Sequence, residues 1–221
     1  MLKNAKNDSA ARSRAREAWM NAFVRQCRTA KAHRVVIASA TDDHDSVQLA
    51  VELAETLSAT GAKVLLMDCD LRRAPLEAHL QRSVPDEQRL AAVLTAPPGI
   101  RPGAVSTRGF HAVLAGATDR MPSVLLDSAR MQELLNDLGS HYEYVLCIAP
   151  PVAVAPDAVV LGRRCDGVVL TVRHRRTDRR AVTDAVAALH HGGAKLLGSV
   201  LTEYDLTIAR QMGQPYVHYG K

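Results

Sequence analysis

Residues 34–70 read RVVIASATDDHDSVQLAVELAETLSATGAKVLLMDCD. RVVIASA (34–40) is a short, unbroken apolar run, the pattern of a strand covered on both faces. TDDHD (41–45) is a loop. SVQLAVELAETLSAT (46–60) has helical period, with Val47, Val51, Ala54 and Leu57 in step. Asp45 with Gln48 resembles a capping box, and Gly61 closes the helix as its C′ residue. KVLLMDCD (63–70) is a second buried strand. A strand, a helix and a strand in that order predict a βαβ unit, with parallel strands and a right-handed crossover.

The alternation continues toward the C-terminus. FHAVLAG (110–116), YEYVLCIAP (142–150), DGVVLTVR (166–173) and KLLGSVLT (195–202) read as further strands. Helical segments are predicted over 76–95 in two pieces around Pro85, over 122–138 from Pro122, over 156–164, and over 178–191 ending at Gly192-Gly193. PPGIRPG (97–103) is a loop. Apolar strands alternating with helices predict an α/β fold with a doubly wound, mostly parallel sheet. Upstream, residues 1–8 read as a disordered basic tail and 9–33 as an amphipathic helix, with Ser9 as N-cap and Trp19, Phe23 and Val24 near one face. The α/β domain is then 34–204, and 205–221 is a C-terminal helix or tail carrying tyrosines.

Composition narrows the class. The chain has 221 residues, 47% of them hydrophobic, enough for one sizeable core. No apolar run approaches the roughly 18–20 residues of a membrane span, and the first residues hold no signal-peptide h-region. Cys27, Cys69, Cys147 and Cys165 form no CxxC pair, so buried reduced thiols and a cytoplasmic location are expected. The net charge is +5, and residues 1–34 hold nine Lys and Arg against Asp8 and Glu17. Such an arm suits an anionic membrane surface, an acidic protein face or nucleic acid, or is simply solvated.

Three stretches together carry a family resemblance. LLMDCDLRR (65–73) resembles the Walker A′ motif of bacterial tyrosine kinases. SARMQELLNDLGSHYEYVLCIAPPVAVAPDAVVL (128–161) resembles their helix, Walker B strand, Pro-Pro turn and following Asp-Ala. CDGVVLTVR (165–173) resembles their Val-Asp-Gly strand. The similarity spans about residues 15–204 and extends to the wider ParA/MinD group of P-loop ATPases. It implies a P-loop NTPase-like fold and a place in exopolysaccharide or capsule biosynthesis. The implied partner is the cytoplasmic region of an inner-membrane polysaccharide co-polymerase, with the chain peripheral to that membrane.

Against that pattern the nucleotide site is altered. The resemblance implies a loop with two glycines for close phosphate approach, a Lys on the β/γ-phosphates and a Ser/Thr hydroxyl on Mg²⁺. The matching positions here are Thr41, Asp42, Asp43, His44, Asp45, Ser46, Val47 and Gln48. Asp43 and Asp45 replace the glycines, Ser46 the lysine and Val47 the hydroxyl; the Walker B acid falls on Ile148. Each lost charge-assisted contact is worth about 1.5–3 kcal/mol, and carboxylates stand where a polyanion would sit. The expectation is that neither ATP nor magnesium binds and that there is no catalytic residue. Asp68 and Asp70 remain at the Walker A′ positions, either as residual cofactor ligands or as structural caps paired with Arg72 or Arg73.

Asp42, Asp43, His44 and Asp45 meeting Asp68 and Asp70 at adjacent strand ends is a carboxylate cluster open to a divalent cation, or a solvated helix-capping loop. Arg173, His174, Arg175, Arg176, Arg179 and Arg180 are a second basic run without aromatic interleaving, so no direct nucleic-acid binding is expected. Tyr216 and Tyr219 stand where related kinases carry a phosphorylated tyrosine cluster. Glu17 matches the acid of the relatives' ring-forming helix, but Met20 and Phe23 occupy its two arginine positions, which leaves a homo-oligomer in doubt. That apolar face packs either on another protein or on its own domain. The reading reached is a non-catalytic docking or regulatory subunit of a polysaccharide-export system. The alternatives are a weak autophosphorylating tyrosine kinase or ParA/MinD-like ATPase, and a membrane-surface or nucleic-acid binder acting through the N-terminal arm.

Overall fold

A computed structural model describes residues 19–42, 45–107 and 109–203. The expectations for the N-terminal tail, Ser9, Glu17, Asp43, His44, and the tail with Tyr216 and Tyr219 lie outside the described residues.

Helix α1 covers 19–30 of the described chain. Then come β1 (Arg34–Ser39), α2 (Asp45–Ala59), β2 (Val64–Asp68), α3 (Pro75–Leu80), a 3₁₀ turn (Asp86–Gln88) and α4 (Leu90–Thr95). They are followed by β3 (Ala104–Ser106), β4 (His111–Val113), α5 (Pro122–Leu126), α6 (Ala129–His141) and β5 (Tyr144–Ile148). The described chain ends with α7 (Asp157–Arg164), β6 (Gly167–Arg173), α8 (Arg179–His191) and β7 (Leu196–Thr202).

The strands form one sheet in the order β3-β4-β2-β5-β1-β6-β7. Every pairing is parallel except β3 with β4. The expected βαβ unit is present as parallel strands, but β5 is inserted between β1 and β2. The carboxyl ends of β1 and β2 are therefore not adjacent, a correction to the sequence reading. Chain order gives no local sign of this, because the pairing of β1 with β5 joins Arg34 to Val145 and Ile37 to Ile148.

Both sheet faces are covered. Along β1 the side chains alternate: Val36 and Ala38 join one core with Leu65, Met67, Met131, Leu135 and Leu161, while Val35 and Ile37 join the other with Leu53, Leu57, Leu66 and Phe110. The first core lies under α4–α8 and the second under α1 and α2. Met20, Phe23 and Cys27 of α1 are buried in that second core. The apolar face of this helix thus packs on its own domain, which settles that alternative. All four cysteines are free thiols, three of them buried. Burial, with a further push from the Asp166 charge, raises the Cys27 thiol to about 12.

Two local features differ from the sequence reading. The helix predicted over 122–138 is two helices, because Ser128 caps α6: its Oγ accepts from Met131 N at 3.1 Å and donates to the Leu125 carbonyl at 2.6 Å. Strand β3 had no expected counterpart. Its three residues are mostly exposed and are held by antiparallel pairing to β4.

At the amino edge of the sheet, Asp166 ties β1 to β6. Its Oδ2 accepts the backbone N–H groups of His33 and Arg34, each at 2.7 Å. Burial alone would raise this carboxyl, but those two bonds and the Arg34 guanidinium hold it below its usual range.

Gly162 marks where α7 meets β6. A Cβ there would lie 2.6 Å from both Ala194 Cβ and Val168 Cγ2. Alanine is the better helix former by about 1 kcal/mol, yet the overlap forces α7 outward. Gly162→Ala is expected to lose about 1–3 kcal/mol net in urea unfolding.

Candidate functional site

The carboxyl ends of β2, β5, β1 and β6 form one rim, flanking the point where strand order reverses around β1. In open α/β sheets ligands bind in the crevice outside such strand ends. Asp68, Asp70, Asp45, Ser46, Val47 and Ile148 are all brought to this rim.

Asp68 ends β2 directly beside Ile148 in the sheet register, and is 0% exposed. Its Oδ1 accepts Asp70 N at 3.0 Å and its Oδ2 accepts Leu76 N at 3.0 Å. Burial pushes its carboxyl up to about 7, although these two bonds pull downward; the charges of Asp70 and Glu77 add to the rise. Asp70, two residues further on, is also buried. Its Oδ1 accepts the backbone N–H groups of Arg72 and Arg73 at 3.2 and 3.1 Å. Its Oδ2 accepts from Arg73 Nε at 2.9 Å. Both aspartates thus cap the β2–α3 connection, the structural role weighed for them from sequence.

The first turn of α2 and the end of β5 supply no matching donors. Ser46 is 4% exposed and Val47 6%, with Val47 joining the second core. Ile148 is 1% exposed, in the same core. Position 46 offers no cation to a phosphate, and Val47 and Ile148 offer no oxygen to a metal.

Of the described carboxylates beside the β1–α2 loop, Asp42 shares Arg73 with Asp70, while Asp45 faces β6 and β7. Asp42 turns to Arg73, whose Nη1 reaches its Oδ1 at 2.5 Å. Asp45 turns the opposite way, toward β6 and β7. Its Oδ2 accepts the Thr202 hydroxyl and lies 3.5 Å from Arg173 Nε. Gln48, the expected capping-box partner of Asp45, donates to Glu52 at 3.0 Å. Among the described residues no group of three or more His, Cys, Asp and Glu side chains could hold a metal ion.

Sequence reasoning gave Asp157 no role, yet it is as fully buried at the rim as Asp68, 0% exposed at the start of α7. Arg72 Nη2 donates to its Oδ1 at 3.2 Å, while its Oδ2 is buried without a hydrogen-bond partner among the described residues. Burial raises its pKa; the Arg72 guanidinium opposes the rise and the Asp70 charge adds to it. The available signal was its place in the Asp-Ala pair after the Pro-Pro turn, on the same edge as Asp70.

No family model matches the chain. The chain is homologous to proteins named as bacterial tyrosine-protein kinases. It is 28% identical over 188 residues to the tyrosine-protein kinase YwqD of Bacillus subtilis, covering 84% of this chain and 77% of that one. It is 26% identical over 175 residues to the putative tyrosine-protein kinase CapB of Staphylococcus aureus, covering 78% and 75%. Among solved structures, the BceF tyrosine kinase domain superposes with a TM-score of 0.73 at 28% identity, over 82% of this chain and 73% of that one. The fold is P-loop NTPase-like.

A further solved neighbour corrects one expectation. Cobyrinic acid a,c-diamide synthase from Mycobacterium smegmatis, described with a bound ATP analog and magnesium, superposes with a TM-score of 0.66 at 19% identity, over 79% of this chain and 74% of that one. The same fold therefore accommodates nucleotide and metal there, and the expectation that this chain binds neither ATP nor magnesium is withdrawn. The physical reason is that backbone N–H groups at a helix N-terminus attract phosphate whatever side chains surround them. No helix among the described residues is long and apolar enough to cross a membrane.

Proposed function

We propose that this chain is a regulatory or docking subunit on a bacterial-tyrosine-kinase frame, acting by protein contact and not by phosphoryl transfer. Its partner in this reading is the cytoplasmic region of an inner-membrane polysaccharide co-polymerase, in exopolysaccharide or capsule assembly, and it is peripheral to the membrane through that partner. The observation that carries the reading is the buried trio Ser46, Val47 and Ile148. These residues stand where phosphoryl transfer by the resembling kinases would draw on a cation, a metal-binding hydroxyl and an acid. The reading concerns transfer, not nucleotide occupancy.

Two assays on the full chain test it. On incubation with Mg-ATP the protein is expected to gain no phosphotyrosine, read by mass spectrometry. Immobilised on beads, it is expected to retain the co-polymerase from membranes of its own host. Phosphate on Tyr216 or Tyr219 would install the second reading, a weak autokinase, which is favoured by the presence of Asp68 and Asp70 at the end of β2. Indifference to every co-polymerase of the host would remove the docking role.

A further inference from the structure

Residues 174–180 read HRRTDRR, and the fold leaves all four of their arginines exposed: Arg175, Arg176, Arg179 and Arg180. The backbone that carries them is fixed. The N–H groups of Arg176 and Thr177 both donate to the Arg173 carbonyl, at 3.2 and 3.0 Å, and Thr177 Oγ1 accepts Arg173 N at 2.9 Å. Arg175 lies in the left-handed region, at φ 58, which turns the chain from β6 toward α8. Asp178 then caps α8, its Oδ1 accepting Arg180 N at 2.7 Å. The positive end of this 13-residue helix adds to the charge of the arginines.

Little of that charge is answered by the chain itself. Other exposed arginines meet acids: Arg101 pairs with Asp137, and Arg163 with Asp127. Here Arg180 reaches Asp184 only at 4.0 Å, with the two side chains 90% and 72% exposed, so solvent screens the pair. Arg175 and Arg179 enter no ion pair among the described residues. Residues 174–184 include no aromatic side chain to stack on a nucleobase. They also hold no buried polar atom without a partner that would select a small ligand. Recognition at this turn therefore rests on charge density and not on shape. An anionic bilayer is a ligand of that kind, an extended plane of phosphates at which each nearby arginine strengthens binding about fivefold.

We infer that the β6–α8 turn is a membrane-docking surface, on which Arg175, Arg176, Arg179 and Arg180 face the headgroups of an anionic lipid bilayer. The contact is electrostatic and is made by the folded domain. It goes beyond the docking reading, in which a partner holds the chain at the membrane, because this contact needs lipid alone. Vesicles free of protein test it whether or not the chain captures a co-polymerase.

The test is cosedimentation of the full chain with phosphatidylcholine vesicles, with and without phosphatidylglycerol. The parent is expected to sediment with the anionic vesicles, to stay in solution with the neutral ones, and to be released by high salt. Arg175→Gln/Arg176→Gln/Arg179→Gln is expected to weaken binding at least about tenfold. Lysine at the same three positions keeps the charge and is expected to bind within about twofold of the parent. Lys63→Gln/Arg82→Gln/Arg120→Gln removes the same charge from exposed positions on the β2–β4 half of the sheet, and is expected to change binding less than about twofold. Thermal unfolding of each variant confirms that it is folded. No binding by the parent, or equal binding to neutral vesicles, overturns the inference. So does a glutamine triple that binds as the parent does, which would place the contact elsewhere in the chain, or a control triple that loses as much, which would reduce it to net charge. A loss with lysine overturns it as well, since guanidinium geometry would then matter. Arginine-dependent capture of duplex DNA or of poly-glutamate, without capture of vesicles, would give the surface to another class of partner and overturn it too.

Discussion

Asp68→Ala is expected to destabilise the domain by about 2–6 kcal/mol, because it orphans two buried backbone donors at about 1–3 kcal/mol each. Those donors are the N–H groups of Asp70 and Leu76, which have both carboxylate oxygens of Asp68 as their acceptors. Asp68→Asn keeps one acceptor and is expected to cost less than the alanine. The aspartate also makes stability depend on pH. Its folded pKa is raised to about 7 from 3.8. Between those values the folded state holds a proton that the unfolded chain releases. The contribution is thus fully present below about pH 4 and is lost as pH rises toward 7, at up to about 1.4 kcal/mol per pH unit. Denaturant titrations of the parent and of Asp68→Asn at pH 4.5, 6 and 7.5 check this. The parent's excess stability over the variant should shrink as pH rises, and a gap that widens instead would show Asp68 to be ionised and favoured in the fold.

The second large effect is expected from Arg72→Met. Asp157 is fully buried, one of its oxygens has no hydrogen-bond partner among the described residues, and Arg72 is the cation against the other. Stranding a buried charge costs about 3–5 kcal/mol, and the partial exposure of Arg72 puts the expectation at the lower end, about 3 kcal/mol. Asp157 escapes part of the penalty by taking up a proton, since burial already raises its pKa and loss of the guanidinium raises it further. The loss should therefore be larger at pH 8 than at pH 5. Arg72→Met/Asp157→Leu, which removes both charges, should recover most of it. Equal losses at the two pH values would mean that water reaches Asp157 once Arg72 is gone.

The parts of the fold legible in sequence are those written as local pattern. Unbroken apolar runs gave β1, β2, β5 and β6 to within a residue or two, because a strand buried on both faces has no polar positions to interrupt it. Strand β3 was invisible, since its three residues gain their conformation from β4 and not from their own composition. The insertion of β5 between β1 and β2 was equally hidden, because no short window records which distant strand will be the neighbour. At the rim, the exchanges at Ser46, Val47 and Ile148 could be seen because a family pattern gave those positions meaning. The pairs Arg73–Asp42, Arg173–Asp45 and Arg72–Asp157 could not, as each joins segments that only the folded sheet brings together. The resemblance also led one step too far: altered side chains were read as an absence of nucleotide, although a helix N-terminus can also attract phosphate through its backbone N–H groups.

The central position of β1 has a consequence for how this chain is made. Both of its neighbours, β5 (Tyr144–Ile148) and β6 (Gly167–Arg173), leave the ribosome long after it does. Until they appear, Val35, Val36 and Ile37 have no strand on either side, and the residues that lie fully buried in the finished domain remain open to chaperones and proteases. A nascent chain halted before residue 144 holds no assembled sheet around β1, so the domain is acquired late and nearly all at once.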